Sequence, residues 1–245
     1  MTNVFRHSRR EFLGTVLGAS AVGPSAGATR VAQAQGRPRP SDFVFARLRY
    51  ESGDWDYNPK VAANVLNAIV EYTNIPVYPD EVIIGADSTE LLAFPFLFMT
   101  GHTLVRFSAA ERRNLARFVE LGGFLFSDDC NHDVNGLYAR SFAEEARLTF
   151  GHLGRLAKLP GTHPLYRCFF TFPDGPPATS HELNGWGDNI VHDYLEGVSH
   201  GGRCGVLHSL KDYGCEWDYD WRNKRFRRDD NTKFAVNIVV YAMTS

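Results

Sequence analysis

The sequence predicts an α/β fold: an open, mainly parallel sheet with helices on both faces, flavodoxin-like in plan. Three observations lead there. Apolar strand-like segments alternate with amphipathic helical ones, the order that crossover connections between parallel strands require. Two strand segments, Phe96-Leu97-Phe98-Met99 and Phe124-Leu125-Phe126, are unbroken apolar runs suited to strands covered on both sides. The 245 residues, 44% hydrophobic and 22% charged with 22 Gly and 12 Pro, supply apolar surface for one large domain and exclude a disordered or collagen-like chain.

Taken in order, a tether at residues 35–41 leads into a single domain at 42–245. Residues 43–50, Phe-Val-Phe-Ala-Arg-Leu-Arg-Tyr, read as the first strand, with Arg47 and Arg49 on one face. Asn58-Pro59 opens a helix to about Thr73, with Val61, Val65, Leu66 and Ile69 at helical spacing. One or two short strands cover 75–84. Ser88 caps a brief helix at 90–93, and the Phe96 strand follows. Ser108 and Glu111 form a capping box for a helix carrying Leu115, Phe118 and Val119, which Gly122-Gly123 stops before the Phe124 strand. Beyond it the pattern predicts a helix at 140–148, a strand at 168–172, a Gly/Pro-rich loop at 174–188, a strand at 205–208 and a last helix at 231–242.

Residues 1–34 are expected to be an address. A basic start (Arg6, Arg9, Arg10) runs into a mildly apolar stretch and ends in small residues at Ala32-Gln33-Ala34. Ser8-Arg9-Arg10-Glu11-Phe12-Leu13 resembles the twin-arginine export signal, which places the product in the periplasm. The alternative, an amphipathic first helix, is weakened by the Gly and Ser that punctuate it. Removing this segment leaves 22 basic and 27 acidic side chains, a net charge of -5, which gives no global reason to bind nucleic acid. No apolar run is long enough to span a membrane. Cys130, Cys168, Cys204 and Cys215 are expected first as buried free thiols, with 204/215 as the favoured pair should a disulfide form after export.

Ligands in open parallel sheets settle beyond the carboxyl ends of the strands. The residues expected there are polar: Asp54, Trp55 and Tyr57 after the first strand, His102 after the Phe96 strand, and Asp212, Glu216 and Trp217 after the last. After the Phe124 strand, Asp128 to Asp133 place five potential ligand side chains in six positions. Such a cluster repels itself unless a cation, a proton or a basic side chain offsets it, so Asp128, Asp129 and His132 are the candidate ligands of a divalent metal. No known metal signature is matched, and a polar loop whose aspartates cap turns is the alternative. Cys130 stands on a strand-to-helix turn with His102 or His132 as candidate base, although the neighbouring carboxylates would raise its pKa. Asp54, Trp55, Tyr57, His102, Asp128, Asp129 and Trp217 are the candidate ligand-binding set. Arg222 to Arg228 place five basic side chains in seven positions, a solvated tip or a dock for an anionic envelope partner.

Several runs together carry a resemblance: Phe45-Ala46-Arg47-Leu48-Arg49-Tyr50 with Gly53-Asp54-Trp55; Phe96 to His102; Gly122-Gly123-Phe124-Leu125-Phe126-Ser127-Asp128-Asp129-Cys130; and Asn237-Ile238-Val239-Val240-Tyr241-Ala242. In that order they resemble a bacterial family known as domain of unknown function 4159, similar in fold to the class I glutamine amidotransferase superfamily. The resemblance spans nearly all of 42–245 and implies a flavodoxin-like sheet and a cell-envelope setting, with no established activity. Asp129-Cys130-Asn131 stands where glutamine amidotransferases carry a Gly-x-Cys-x-Gly elbow, and no His-x-Glu pair is present, so glutaminase chemistry is not implied.

The resulting expectation is an exported domain that binds a small ligand or divalent metal at the strand ends. The alternatives are a hydrolase using metal-activated water or Cys130, and an accessory subunit that docks an envelope protein.

Overall fold

The structure is a computed structural model that describes residues 37–218 and 229–245. The expected signal at 1–34, the basic run from Arg222 to Arg228, Tyr219 and Trp221 lie outside the described residues.

The α/β expectation holds. A seven-stranded sheet has the order β2-β1-β3-β4-β7-β6-β5, built from β1 (Ala46–Arg49), β2 (Val82–Gly85), β3 (Phe96–Gly101), β4 (Phe124–Asp129), β5 (Ala157–Lys158), β6 (Glu196–His200) and β7 (Arg203–Ser209). The strands β2, β1, β3, β4 and β7 run parallel, while β6 and β5 add an antiparallel edge. From β1 the chain crosses outward to β2, then returns to the other side of β1 as β3. The strand order therefore reverses between β1 and β3, where a crevice opens at the carboxyl ends of an open sheet.

Helices cover both faces, as the unbroken apolar runs require. The aromatic side chains of Phe43, Phe45, Phe96, Phe98, Phe124 and Phe126 pack on one face against α1 (Val61–Tyr72), α5 (Tyr213–Asp218) and α6 (Asp229–Thr244). On the other, Leu48, Leu97, Met99 and Leu125 meet α2 (Ala109–Glu120) and α3 (Leu137–Phe150). Strand alternation thus sends Asp128 toward the first face and Ser127 and Asp129 toward the second. Among the described residues, no helix is long and apolar enough to cross a membrane.

Local signals place most elements. Ser108 and Glu111 make the reciprocal capping box that starts α2, and Ser88 caps a short 3-10 turn at Thr89–Ala93. The departures have physical causes. The strand expected at 168–172 does not form, because the Asn237 side chain takes the place of a partner strand: Phe170 N donates to Asn237 Oδ1 (2.8 Å) and Asn237 Nδ2 donates to Phe170 O (2.8 Å). The β6 strand, whose sequence Glu-Gly-Val-Ser-His is polar, pairs antiparallel with β7 across the two-residue turn Gly201-Gly202, whose positive φ values of 60° and 83° are those of a tight hairpin; that Gly-Gly was the local signal for it. The loop expected at 174–188 contains one helical turn, α4 (Ser180–Leu183), with its own Thr179/Glu182 capping box.

Candidate functional site

The carboxyl ends of β1 and β3 meet at the switch point, and the loops beyond them are joined there. His102 Nδ1 lies 2.8 Å from Asp54 Oδ2, while Asp54 Oδ1 accepts from His102 N (2.9 Å), Thr103 N (3.2 Å) and Thr103 Oγ1 (3.0 Å). Burial acts to raise the Asp54 pKa, but these hydrogen bonds from His102 and Thr103 prevail and hold it down to about 2. The ionised carboxylate keeps Nδ1 as the donor when the ring is neutral and leaves Nε2 as the acceptor. The ring is partly open to solvent and meets Tyr57 edge-on, with centroids 4.1 Å apart.

Asp129 joins this group indirectly. Its Oδ1 accepts from Asn131 N (2.8 Å), and Asn131 Nδ2 donates to His102 O (2.7 Å). Burial pushes Asp129 up to about 7, and its buried Oδ2 has no hydrogen-bond partner among the described residues.

A second group lies beyond β4 and β7. Cys130 Sγ accepts from Asn58 Nδ2 (3.0 Å) and sits 2.9 Å from Thr100 Oγ1, while Cys215 Sγ donates to Asn58 Oδ1 at 3.4 Å. One carboxylate oxygen of Asp212 and both sulfurs lie within 4.8 Å of one another. Burial pushes the Cys130 thiol well up. A hydrogen bond with Cys130 acts to lower Cys215, but burial and the Asp212 charge outweigh it. Asp212 also pairs with His181 Nδ1 and accepts from Cys215 N (3.1 Å). The protein's own packing frames the group: Asn58 and Asp212 both have φ of 58°, an uncommon left-handed conformation for residues with a side chain.

Asp128 explains how α5 is set. Fully buried, it accepts from Tyr213 N (3.2 Å) and Gly214 N, the first residues of α5, and so anchors the helix that carries Cys215. Burial, and then the Asp212 charge, push its carboxyl far up. Gly214 is needed for this approach, since a Cβ there would come 2.8 Å from Asn58 Nδ2 and 3.1 Å from Asp128 Oδ2.

The sequence-derived metal set is not brought together. Asp128 and Asp129 face opposite sides of the sheet, and His132 joins Asp188 and His192 instead. There the ring atoms are already engaged: His132 Nδ1 bonds Leu210 O, His132 Nε2 lies 2.9 Å from Ile190 O, and His192 Nε2 lies 2.9 Å from Asp188 Oδ2. The neighbouring Lys211, fully buried, holds Glu182 through both carboxylate oxygens (2.7 and 2.8 Å) and donates to His192 O.

The other expected residues also find definite places. Trp217 is buried in the core against Phe126 and Tyr213, with Nε1 donating to Asn231 O (3.0 Å), so it anchors α6. Trp55 packs on the edge of the second core, and Tyr57 is exposed. Cys130 has no hydrogen bond to His102 or His132. Cys204 does not pair with Cys215: it lies at the amino end of β7 with Sγ donating to Val206 O, whereas Cys215 lies at the carboxyl end beside Cys130, and all four cysteines are free.

Sequence reasoning missed Arg47, Asn58, Thr100 and His181. Arg47 is fully buried, pairs with Glu81 (2.6 Å) and donates to the carbonyls of Trp55, Tyr57 and Asn58, which fixes the loop presenting Tyr57 and Asn58. An arginine between Ala46 and Leu48 in a largely apolar strand was the available signal, because a charge is seldom buried without partners.

These features define an open α/β domain with a cluster of polar side chains at the strand switch point. The chain belongs to the DUF4159 family, a domain of unknown function, which matches residues 44–243. A search of curated proteins returns no match.

Proposed function

We propose that this chain is an exported α/β domain, related in fold to the class I glutamine amidotransferases, that binds a small polar ligand in the crevice between the β1 and β3 ends. The observation that carries the reading is the Asp54–His102 pair at 2.8 Å. It sits where the strand order reverses, offers one imidazole nitrogen outward, and is flanked by the exposed Tyr57 ring. The twin-arginine run at Arg9-Arg10 supports a periplasmic setting.

Hydrolysis is the second reading, favoured by the same pair. An imidazole whose Nδ1 is held by a carboxylate is oriented to take a proton at Nε2. No nucleophile lies within hydrogen-bond reach of it among the described residues, so a bound water would be the attacking group.

Amide chemical-shift mapping against a library of small polar metabolites tests the binding reading. Ligands should shift Asp54, Tyr57, His102 and Asn131 in wild type and lose at least tenfold in affinity with His102→Ala. A library whose hits shift only the opposite edge, near Gly122 and Arg203, or that gives no hits at all, would overturn it.

A further inference from the structure

We infer that Cys130, Asp212 and Cys215 form a binding site for a thiophilic divalent cation of the zinc class. The inference rests on the crevice reading only in placing a ligand at this edge of the sheet; the residues differ from those at the switch point. Three ligand atoms from two separate loops and the first turn of a helix lie within 4.8 Å of one another. Zinc bonds of about 2.0 to 2.3 Å in a tetrahedron put ligand atoms roughly 3.3 to 3.8 Å apart, so a contraction of about an ångström closes the set.

The chemistry of the donors selects the metal class. Two sulfurs and one carboxylate suit zinc and its relatives, whereas calcium and magnesium take oxygen. The surroundings fit as well. Thr100 and Asn58 hydrogen-bond to the Cys130 sulfur, and His181 holds the Asp212 carboxylate, the kind of outer contact that orients a ligand and supports a thiolate. Asn58, which bridges both sulfurs, places its amide oxygen 3.4 Å from Cys215 and is the candidate fourth ligand. A cation would also offset the buried Asp128 and Asp212 carboxyls that crowd the same few ångström.

The disulfide is the competing use of the same pair, and the two are separable. Cobalt(II) added to the reduced, metal-free full chain should give one equivalent of bound metal with a sulfur-to-cobalt charge-transfer band, displaced by zinc. Cys215→Ser and Cys130→Ser should each weaken binding at least tenfold, and Cys168→Ser should leave it unchanged. Because a variant can fail to fold, wild-type protein supplies a second readout: one equivalent of zinc should slow alkylation of Cys130 and Cys215 at least tenfold while Cys168 reacts at its original rate. Absence of the charge-transfer band, equal alkylation with and without zinc, or a band that survives in both Cys→Ser variants overturns the site. Metabolite shifts at His102 without any cobalt band would sink this inference and leave the binding reading standing; a band without metabolite shifts would do the reverse.

Discussion

Two clusters in this protein look alike as inventories and differ as chemistry. His132, Asp188 and His192 lie as close together as Cys130, Asp212 and Cys215, each group drawing its ligand atoms within 4.8 Å. In the first, the imidazole nitrogens are engaged by the carbonyls of Leu210 and Ile190 and by Asp188, and the cluster pins the 184–192 segment to the end of β7. In the second, the sulfurs meet the Asn58 amide, the Thr100 hydroxyl and each other, partners that can stay in place while a cation binds. Proximity marks both; uncommitted lone pairs mark one. The first cluster should therefore govern stability and the second should govern binding.

The sharpest way to break that contrast is to cut the ion pair that supports the closed cluster. Glu182→Ala leaves the Lys211 ammonium buried without its carboxylate and should cost ~3 to 5 kcal/mol in denaturant unfolding. Glu182→Leu with Lys211→Met should recover much of that loss, since the pair itself need add little. A double variant as unstable as the single would show that the loss comes from packing rather than from the orphaned charge.

His132→Ala should follow, at ~2 to 4 kcal/mol, because it removes a fully buried ring and its contacts with the buried Leu210 carbonyl and the Ile190 carbonyl. Cobalt affinity should be unchanged in the folded fraction, and a tenfold loss of affinity there would merge the two clusters into one. Gly214→Ala should cost ~1 to 3 kcal/mol through overpacking against Asn58 and Asp128, and should weaken cobalt as well, since it displaces the helix bearing Cys215.

The pH response is smaller and separates a buried histidine from both groups. His208 is buried, held down to about 3 by burial, stacked on Phe142, and hydrogen-bonded to Ser127. The unfolded chain takes up a proton near 6.5 while the folded one does not, so this stability is complete above pH 6.5 and is lost as pH falls toward about 3. Unfolding curves at pH 7 and pH 5 should show a shallower loss for His208→Leu than for wild type; parallel losses would assign the slope elsewhere. The smallest effect is expected at the switch point. Asp54→Ala should change stability by ~1 kcal/mol or less, the pair being partly exposed. In the neutral imidazole it should release the tautomer, so that nitrogen NMR finds His102 protonated at both positions in turn.

Much of the fold was legible because local physics decided it. Ser108 with Glu111, the apolar runs at Phe96 and Phe124, and the helical spacing from Val61 needed no distant partner to be read. What failed had two causes. Asn237, distant in sequence, replaces a strand for Phe170, whereas β6 lacks an apolar alternation and was announced only by the Gly201-Gly202 turn that joins it to β7. The site followed the same division. Asp54 and His102 could be placed because residues after parallel strands share an edge. Asp128 and Asp129 are sequence neighbours that the pleat separates, whereas Cys130 and Cys215 are far apart in sequence and joined only by the tertiary fold. An aspartate three residues before a cysteine, with a glycine between them at the end of a strand, was the available hint of the second group.

The most direct test is to map amide shifts across the protein as one equivalent of zinc is added to the reduced, metal-free chain. The account predicts changes at Asn58, Thr100, Cys130 and residues 212–215, with His132, Asp188 and His192 unmoved. Shifts centred on His132, Asp188 and His192, with Cys130 and Cys215 silent, would contradict it.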